Sequence, residues 1–324
     1  MVGDAVILVT GGMGFIGLHV AGALAGAGED VVITRFRKVR SADFVEPHLA
    51  SGRVKVAAMD VTDPFSVLET MAANAVDGVI HLAVPALGVL GVGQEMGVNV
   101  VGLRNVLEAA RALGVPRLTI ASSVAVYAGA GPGPWHEQDP LPVTSPTPTT
   151  AFKKAEEILA LHYGDRTGLD VVCVRIGAVY GPLYHSMSNL PSRLVHAAVR
   201  PQVPLAPRPS MSGARADLGD LLYVRDCAEG LVRVHRAPSR SHRVYNLGGG
   251  RAVPEEDVAA AVEKAVPGWQ RPEVCRDAGA GVAAAGVSGR YMDLTRIAEV
   301  GFSPRYDIIS GIADYAGWLR SHEK

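Results

Sequence analysis

Residues 5–26 read AVILVTGGMGFIGLHVAGALAG. The opening AVILVT (5–10) is an unbroken apolar run, which marks a strand buried on both faces rather than one alternating between core and solvent. From Phe15 the pattern becomes helical. Between the two lies TGGMGFIG (10–17). A strand that runs through clustered glycines into a helix is the context in which those glycines have a physical task. Gly11 and Gly12 permit a sharp turn, Gly14 lets the backbone approach a pyrophosphate closely, and Gly17 lets helix and strand pack tightly. Free amides at the helix N-terminus then meet the phosphates. Met13, Phe15 and Ile16 complete this cofactor loop. The competing reading, a glycine-rich structural turn, is disfavoured by the flanking strand and helix.

Working outward, the same alternation continues. DVVITR (30–35), VKVAAMD (54–60), DGVIHLAV (77–84), RLTIASSVAVY (117–127) and DVVCVRIGAVYG (170–181) read as further strands. Helical patterns at 64–75 and 99–114, and a helix opening at Thr149, separate the later ones. Continuous hydrophobicity with intervening helices predicts an α/β fold: a doubly wound parallel sheet built from right-handed crossovers. From residue 183 the character changes. HSMSNLPSRLVHAAVRPQVPLAPRPSMSGARADLG (185–219) is rich in Pro, Ser and Arg and reads as a loop-rich cover over a cleft. A helix (224–237), a strand (243–249) and three more helices (254–266, 294–301 and 308–320) follow. The expected organisation is a dinucleotide-binding domain over 1–182, to which elements around 220–250 return, and a smaller substrate lobe mainly over 183–324.

The 324 residues suffice for one large domain or two closely joined lobes. Hydrophobic residues at 48% and charged residues at 19% are ordinary for a soluble globular protein. A net charge of −1, with scattered arginines, gives no footprint of a nucleic-acid or membrane-surface partner. Cys173, Cys227 and Cys275 lie far apart without metal-ligand spacing, so no metal site is expected. That cysteine usage, and an apolar N-terminal run too short for a signal peptide, predict a cytoplasmic protein.

In a fold of this kind an acidic residue at the end of the second strand holds the adenosine ribose hydroxyls. Here the strand ends ITRFRK, which supplies Arg35, Arg37 and Lys38. Cationic groups attract a 2′-phosphate that a carboxylate would repel. The expected cofactor is therefore NADP in preference to NAD, against the alternative of a solvated basic loop.

Taken together, these segments resemble the extended short-chain dehydrogenase/reductases, the NAD-dependent epimerase/dehydratase family, over nearly the whole chain. TGGMGFIG, DVTD (60–63), HLA (81–83), Asn99 with NVLEAAR (105–111), SSVAVY (122–127), RIGAVYGP (175–182), DLLYVRDCA (220–228) and VYNLGGG (244–250) fall in the family's order and spacing. The resemblance implies a Rossmann-type fold, adenine contacts from Asp60 and Val61, and cofactor contacts from Leu82, Ala83 and Asn99. It also implies a catalytic Ser, Tyr and Lys. The Ser hydrogen-bonds the reacting oxygen, the Tyr passes the proton, and the Lys lowers the Tyr pKa and holds the nicotinamide ribose. Counting from Tyr127 puts Ser123 at the Ser position. Lys153 falls on the Lys position, a register that Glu157 supports. Four residues before Lys153 stands Thr149, not tyrosine. Thr149 reads as a helix cap or as a group that orients substrate or water; its aliphatic hydroxyl cannot replace a phenol as an acid near neutrality unless it relays a proton from water.

Substitutes are at hand. Tyr184 and His185 follow the sixth strand, where ligands bind in such sheets, and His185 has a suitable intrinsic pKa. Tyr127, Lys153 itself, and His81, which reads as a core residue beside the cofactor, are the others. Two positions at which relatives mark nucleotide-sugar binding are Ala178 and Gly219 here, while Arg193, Arg208 and Arg215 remain available for a diphosphate. Three functions stay open: an epimerase/dehydratase-type enzyme acting on a nucleotide sugar or related polar metabolite, a reductase of a small carbonyl compound, and a redox-silent NADP-binding sensor or scaffold. The resemblance further implies a homodimer built on helices 99–114 and 150–164.

Overall fold

The computed structural model describes residues 5–36, 43–85, 90–200, 202, 219–271 and 290–322. Its main sheet has seven strands: β1 (Val6–Thr10), β2 (Asp30–Arg35), β3 (Val54–Ala58), β4 (Gly78–His81), β5 (Arg117–Ser123), β6 (Asp170–Ile176) and, late in the chain, Val244–Leu247. Every pairing in it is parallel, and the spatial order is β3-β2-β1-β4-β5-β6 with Val244–Leu247 at the far edge. The reversal of winding falls between β1 and β4, which places a crevice at the carboxyl ends of those strands.

The helices divide between the two faces. Helix α1 (Phe15–Gly26) shares one core with the helix Val224–Arg236, built on Ile7, Val9, Val31, Ile33 and Val174 of the strands. Two short helices, α2 (Glu46–Ala50) and α4 (Val92–Met96), lie in the connections. On the opposite face α3 (Pro64–Ala73), α5 (Gly102–Leu113) and α6 (Pro148–Thr167) cover Leu8, Val32, Val79, Leu118, Ile120 and Cys173. Alternate residues of each strand thus feed two cores, the physical reason the strands read as unbroken apolar runs.

The sixth strand is not continuous. It breaks at Gly177 into β6 and β7 (Ala178–Tyr180), and β7 leaves the main sheet to pair in parallel with β8 (Leu221–Tyr223). Gly177 N donates to Leu247 O and Ala178 N to Asp220 O, so the chain changes partners within two residues. A Cβ at Gly177 would stand 2.9 Å from the Asp220 carbonyl oxygen. The segment expected to be loop-rich also contains a helix, α7 (Leu190–Val199). Asn189 caps it by accepting from Ser192 N, and Pro191 sits in the first turn, where a missing N–H costs nothing. Later in the chain come α8 (Val224–Arg236), β9 (Val244–Leu247), α9 (Glu255–Ala265), α10 (Thr295–Glu299) and α11 (Ile308–Ser321). β7, β8, α7, α9 and α11 enclose a third core around Tyr180, Leu194, Tyr223, Val262 and Tyr315. No described helix is long and apolar enough to cross a membrane.

Candidate active site

The glycine loop closes on itself. Gly14 N donates to Gly11 O, Gly11 N to the Thr34 hydroxyl, and Met13 N to Thr34 O. Gly11 takes φ of +66°, a left-handed conformation that favours glycine. A Cβ on Gly12 would sit 2.5 Å from Ile33 Cβ, and one on Gly17 2.5 Å from Gly11 O, so these two glycines allow α1 to lie directly on the turn. Gly14, the N-cap of α1, has no side chain to satisfy the first amides, and no acidic residue occupies the first turn. The amides of Phe15, Ile16 and Gly17 precede the first intrahelical bond, from Leu18 N to Gly14 O. Glycine surfaces and an uncapped helix N-terminus fit the diphosphate of a dinucleotide.

Thr10 organises the next wall, a role the sequence did not reveal. Its Oγ1 accepts from the amides of Leu82 and Ala83 at 3.2 Å each and lies 2.8 Å from His81 Nδ1. With the oxygen accepting twice, the hydroxyl proton goes to His81 Nδ1, which leaves the His81 proton on Nε2. Burial, then the Lys153 charge, lowers the His81 pKa to about 3, so the ring stays neutral. Asp60 is half-buried, and its carboxylate accepts from the Thr62 amide and hydroxyl. Val61 is buried under Gly102, and Asn99 is buried and donates to Glu95 O within a π-helical turn, Gly97–Val101. Arg35 is exposed at the end of β2; Arg37 and Lys38 lie outside the described residues.

The opposite wall is made of buried ion pairs. At the end of β5 the two serines part. Ser122 donates to Glu157 Oε2 at 2.8 Å and is buried, while half-buried Ser123 accepts from Ala125 N at 3.1 Å and keeps its own proton to donate. Glu157 also pairs with the Arg175 guanidinium, which donates to the Tyr127 hydroxyl at 2.7 Å. Burial opposes the Arg175 charge, but Glu157 and Tyr127 outweigh it and hold the Arg175 pKa above its usual value. The Tyr127 hydroxyl lies 2.8 Å from Asn246 Oδ1, its ring is stacked on Trp135, and burial raises its pKa. Tyr127 is thereby committed to the framework and cannot serve as the missing acid.

Helix α6 starts one residue before the expected Thr149. Thr147, rather than Thr149, is the N-cap, accepting from Thr150 N at 3.1 Å, and Pro148 takes the first helical position. Thr149 is half-buried, and its hydroxyl has no hydrogen-bond partner among the described residues. The adjacent lysines diverge. Lys154 is tied to the carbonyls of Pro142 and Thr144, and so fastens the loop after β5. Lys153 turns inward and meets Glu156 Oε2 at 2.7 Å, both side chains buried. Glu156, a second residue the sequence did not single out, has its pKa raised by burial, which the neighbouring Lys153 only partly opposes.

Tyr184 and His185 do not join this group. The Tyr184 ring packs edge-on against Phe15 at 5.0 Å, and its hydroxyl bonds to Ser188. Phe15 heads α1, on the face of the sheet opposite α6, so Tyr184 borders the glycine loop rather than Ser123 and Lys153. His185 is exposed in the same loop. His19 anchors that loop through Pro182 O, 3.2 Å from its Nε2. At Gly219 a side chain would strike the Arg290 carbonyl oxygen, which explains why arginine is absent there. Arg193 is buried on α7, and Arg208 and Arg215 lie outside the described residues.

Residues 7–248 match the model of the NAD dependent epimerase/dehydratase family. The chain belongs to that family. A dTDP-glucose 4,6-dehydratase of Streptomyces griseus is 31% identical over 327 residues, covering 98% of this chain and 94% of that protein. A UDP-glucuronate 4-epimerase of Thermodesulfobacterium geofontis is 31% identical over 258 residues, 75% of each chain. Among solved structures, UDP-glucose 4-epimerase of Thermotoga maritima, determined with UDP-glucose, superposes with a TM-score of 0.78 at 19% identity over 98% of this chain and 100% of its own. The UDP-glucose 4-epimerase of Thermus thermophilus, in complex with NAD, gives 0.75 at 25% identity over 98% and 99%. Membership makes this chain an NAD-dependent enzyme of the epimerase/dehydratase type, with a Rossmann-type sheet.

Proposed function

We propose that the chain interconverts a carbinol and a ketone on a nucleoside-diphosphate sugar, as an epimerase or dehydratase that works without the usual tyrosine. The observation that carries this reading is that one sheet bears a phosphate-fitting glycine loop after β1 and a free-hydroxyl serine on β5, with an inward lysine on the helix α6 that covers it. When bound, the dinucleotide accepts and returns a hydride. Gly11–Gly17, Leu82, Ala83 and Asn99 would hold it, with Asp60 and Val61 at the adenine and Lys153 at the nicotinamide ribose. Ser123 would donate to the reacting oxygen. Tyr184 and His185 would meet substrate or cofactor beside the glycine loop, and Thr149, in the first turn of α6, would orient substrate or water. Relatives named for sugars linked to dTDP and UDP support the substrate class. The test is to identify any nucleotide that copurifies, then add a panel of nucleotide sugars and ketones. A change in nicotinamide absorbance is expected. A bound cofactor that responds to none of the panel would instead support a redox-silent sensor, the reading that Thr149 favours.

Three finer points belong to the same proposal. Arg35, with Arg37 and Lys38 next in sequence, favours NADP over NAD; equal affinities in a fluorescence titration would overturn this. Residues 1–182 with the returning 220–250 segment serve the dinucleotide, and 183–324 mainly the sugar. The exposed Ile158 and Leu159 on α6 suit a homodimer through helices 99–114 and 150–164. Light scattering should then give twice the monomer mass.

A further inference from the structure

A proton must still be placed when a carbinol is oxidised, and the usual phenol is Thr149. We infer that Glu156 receives it through Lys153, the two forming a buried proton relay in place of the tyrosine. This rests on the dinucleotide-binding reading above. Three observations carry it. The Lys153 ammonium is 2.7 Å from Glu156 Oε2, a hydrogen bond short enough for proton exchange. Both side chains are almost completely withdrawn from water, at 10% and 3% exposure, so the proton is not lost to solvent. Lys153 also lies in the second turn of α6, a helix that packs on β5 and on the turn Val124–Tyr127 just beyond Ser123, so the pair and the serine share one region of the fold.

The step balances. The carbinol C–H leaves as hydride to the oxidised nicotinamide, and the C–O bond becomes C=O. The hydroxyl proton passes to Lys153 Nζ while Nζ passes one of its own to Glu156 Oε2. The pair changes from ammonium–carboxylate to ammonium–carboxylic acid as the nicotinamide loses its positive charge, so the net charge of the pocket is unchanged. Reduction runs in reverse, Glu156 returning the proton through Lys153. A buried carboxylic acid is suited to this, since burial favours its neutral form. The neighbouring groups are otherwise engaged. Glu157 is held by Arg175 and Ser122, Tyr127 by Arg175 and Asn246, and Lys154 by backbone carbonyls; His81 is neutral and the Cys173 thiol is pushed up by burial. At the far end of α6, Arg111 bonds the Tyr163 hydroxyl.

The relay has a signature in binding alone. The oxidised ring carries a positive charge that opposes a proton on Glu156; the reduced ring does not. Lowering the pH should therefore tighten NADPH relative to NADP+, by up to about tenfold per pH unit. NADPH is titrated by fluorescence and NADP+ by competition, from about pH 5 to about pH 9, with NADH and NAD+ used if they bind more tightly. Glu156→Gln should abolish the pH dependence of the ratio while leaving both forms bound. If that variant misfolds, Lys153→Gln with Glu156→Gln, which removes both charges of the pair, should abolish it equally, with both forms bound more weakly for want of the Lys153 contact to the ribose. A ratio independent of pH in the unaltered protein, or a dependence that survives loss of Glu156, overturns the relay. Failure of either cofactor form to bind the unaltered protein overturns the dinucleotide reading instead.

Discussion

At the β1 rim of the cleft the chain offers backbone: glycine surfaces, uncapped amides and neutral histidines. At the β5–β6 rim it offers side chains, with Arg175, Glu157, Lys153 and Glu156 all buried and paired. On the proposed function, the difference follows from the tasks. A diphosphate brings its own charge and needs an approachable surface, so side chains are cleared away. A reacting hydroxyl needs protons held in place, and charges can be kept in a low-dielectric site only when mutually satisfied. The two rims should therefore fail differently.

Acid offers the largest contrast. His19 is lowered to about 4 and His81 to about 3 by burial, and on other packed faces His196 and His235 are lowered to about 4 and about 3. Each folded pKa lies below the unfolded value, so the unfolded chain takes up these protons first. The stability these rings confer is complete above about pH 6.5 and is lost as pH falls toward their folded values, at about 1.4 kcal/mol per pH unit per ring. Asp220, raised to about 6 by burial, acts in the opposite sense. Between about pH 6 and pH 4 the fold gains from its protonation, offsetting roughly one histidine. Urea midpoints should fall steeply below about pH 6, and His81→Gln should remove about one proton from the slope.

The ion-paired rim is next. Arg175→Met leaves Glu157 buried with its main partner gone, and should cost about 3–5 kcal/mol in urea unfolding. Adding Glu157→Leu should restore much of that loss, because the uncompensated charge is removed with its partner. If the double variant is as unstable as the single, packing around Arg175 and Tyr127 matters more than charge.

Gly17→Ala attacks the backbone rim. The new methyl must displace Gly11 O and Gly12 Cα, at 2.5 and 2.6 Å, at a cost of about 1–3 kcal/mol. Cofactor affinity should fall further than stability does, since the turn that approaches the diphosphate is what moves. A dinucleotide titration beside a melting curve separates the two.

These rims were not equally legible in the sequence. A glycine announces its purpose, since the missing side chain is itself the structural requirement, and TGGMGFIG between a strand and a helix leaves few alternatives. Continuous apolar runs likewise declared the parallel sheet. At the other rim the letters are ambiguous. Glu156 and Glu157 are neighbours of one residue type, and the turn of a helix sends one to Lys153 and the other to Arg175. The break at Gly177 was hidden because β6 and β7 are both apolar, the partner change being fixed by Asp220 and Leu247 far along the chain. Helix α7 was masked by flanking prolines that elsewhere mean loop, although Asn189 with Pro191 is a start signal.

The smallest effect has the opposite sign. Gly22 lies inside α1 but outside the turn, and a Cβ there would meet only Val45 Cγ1, at 3.8 Å. Glycine in a helix interior is less favourable than alanine by about 1 kcal/mol, because the unfolded chain has more freedom to lose. Gly22→Ala should therefore raise the melting temperature by about one degree for a gain of about 0.5–1 kcal/mol, with cofactor affinity unchanged. Set beside Gly17→Ala in the same helix, it separates the helix from the turn. Weaker cofactor binding by Gly22→Ala would mean that the whole of α1, and not only its first turn, is tuned to the diphosphate.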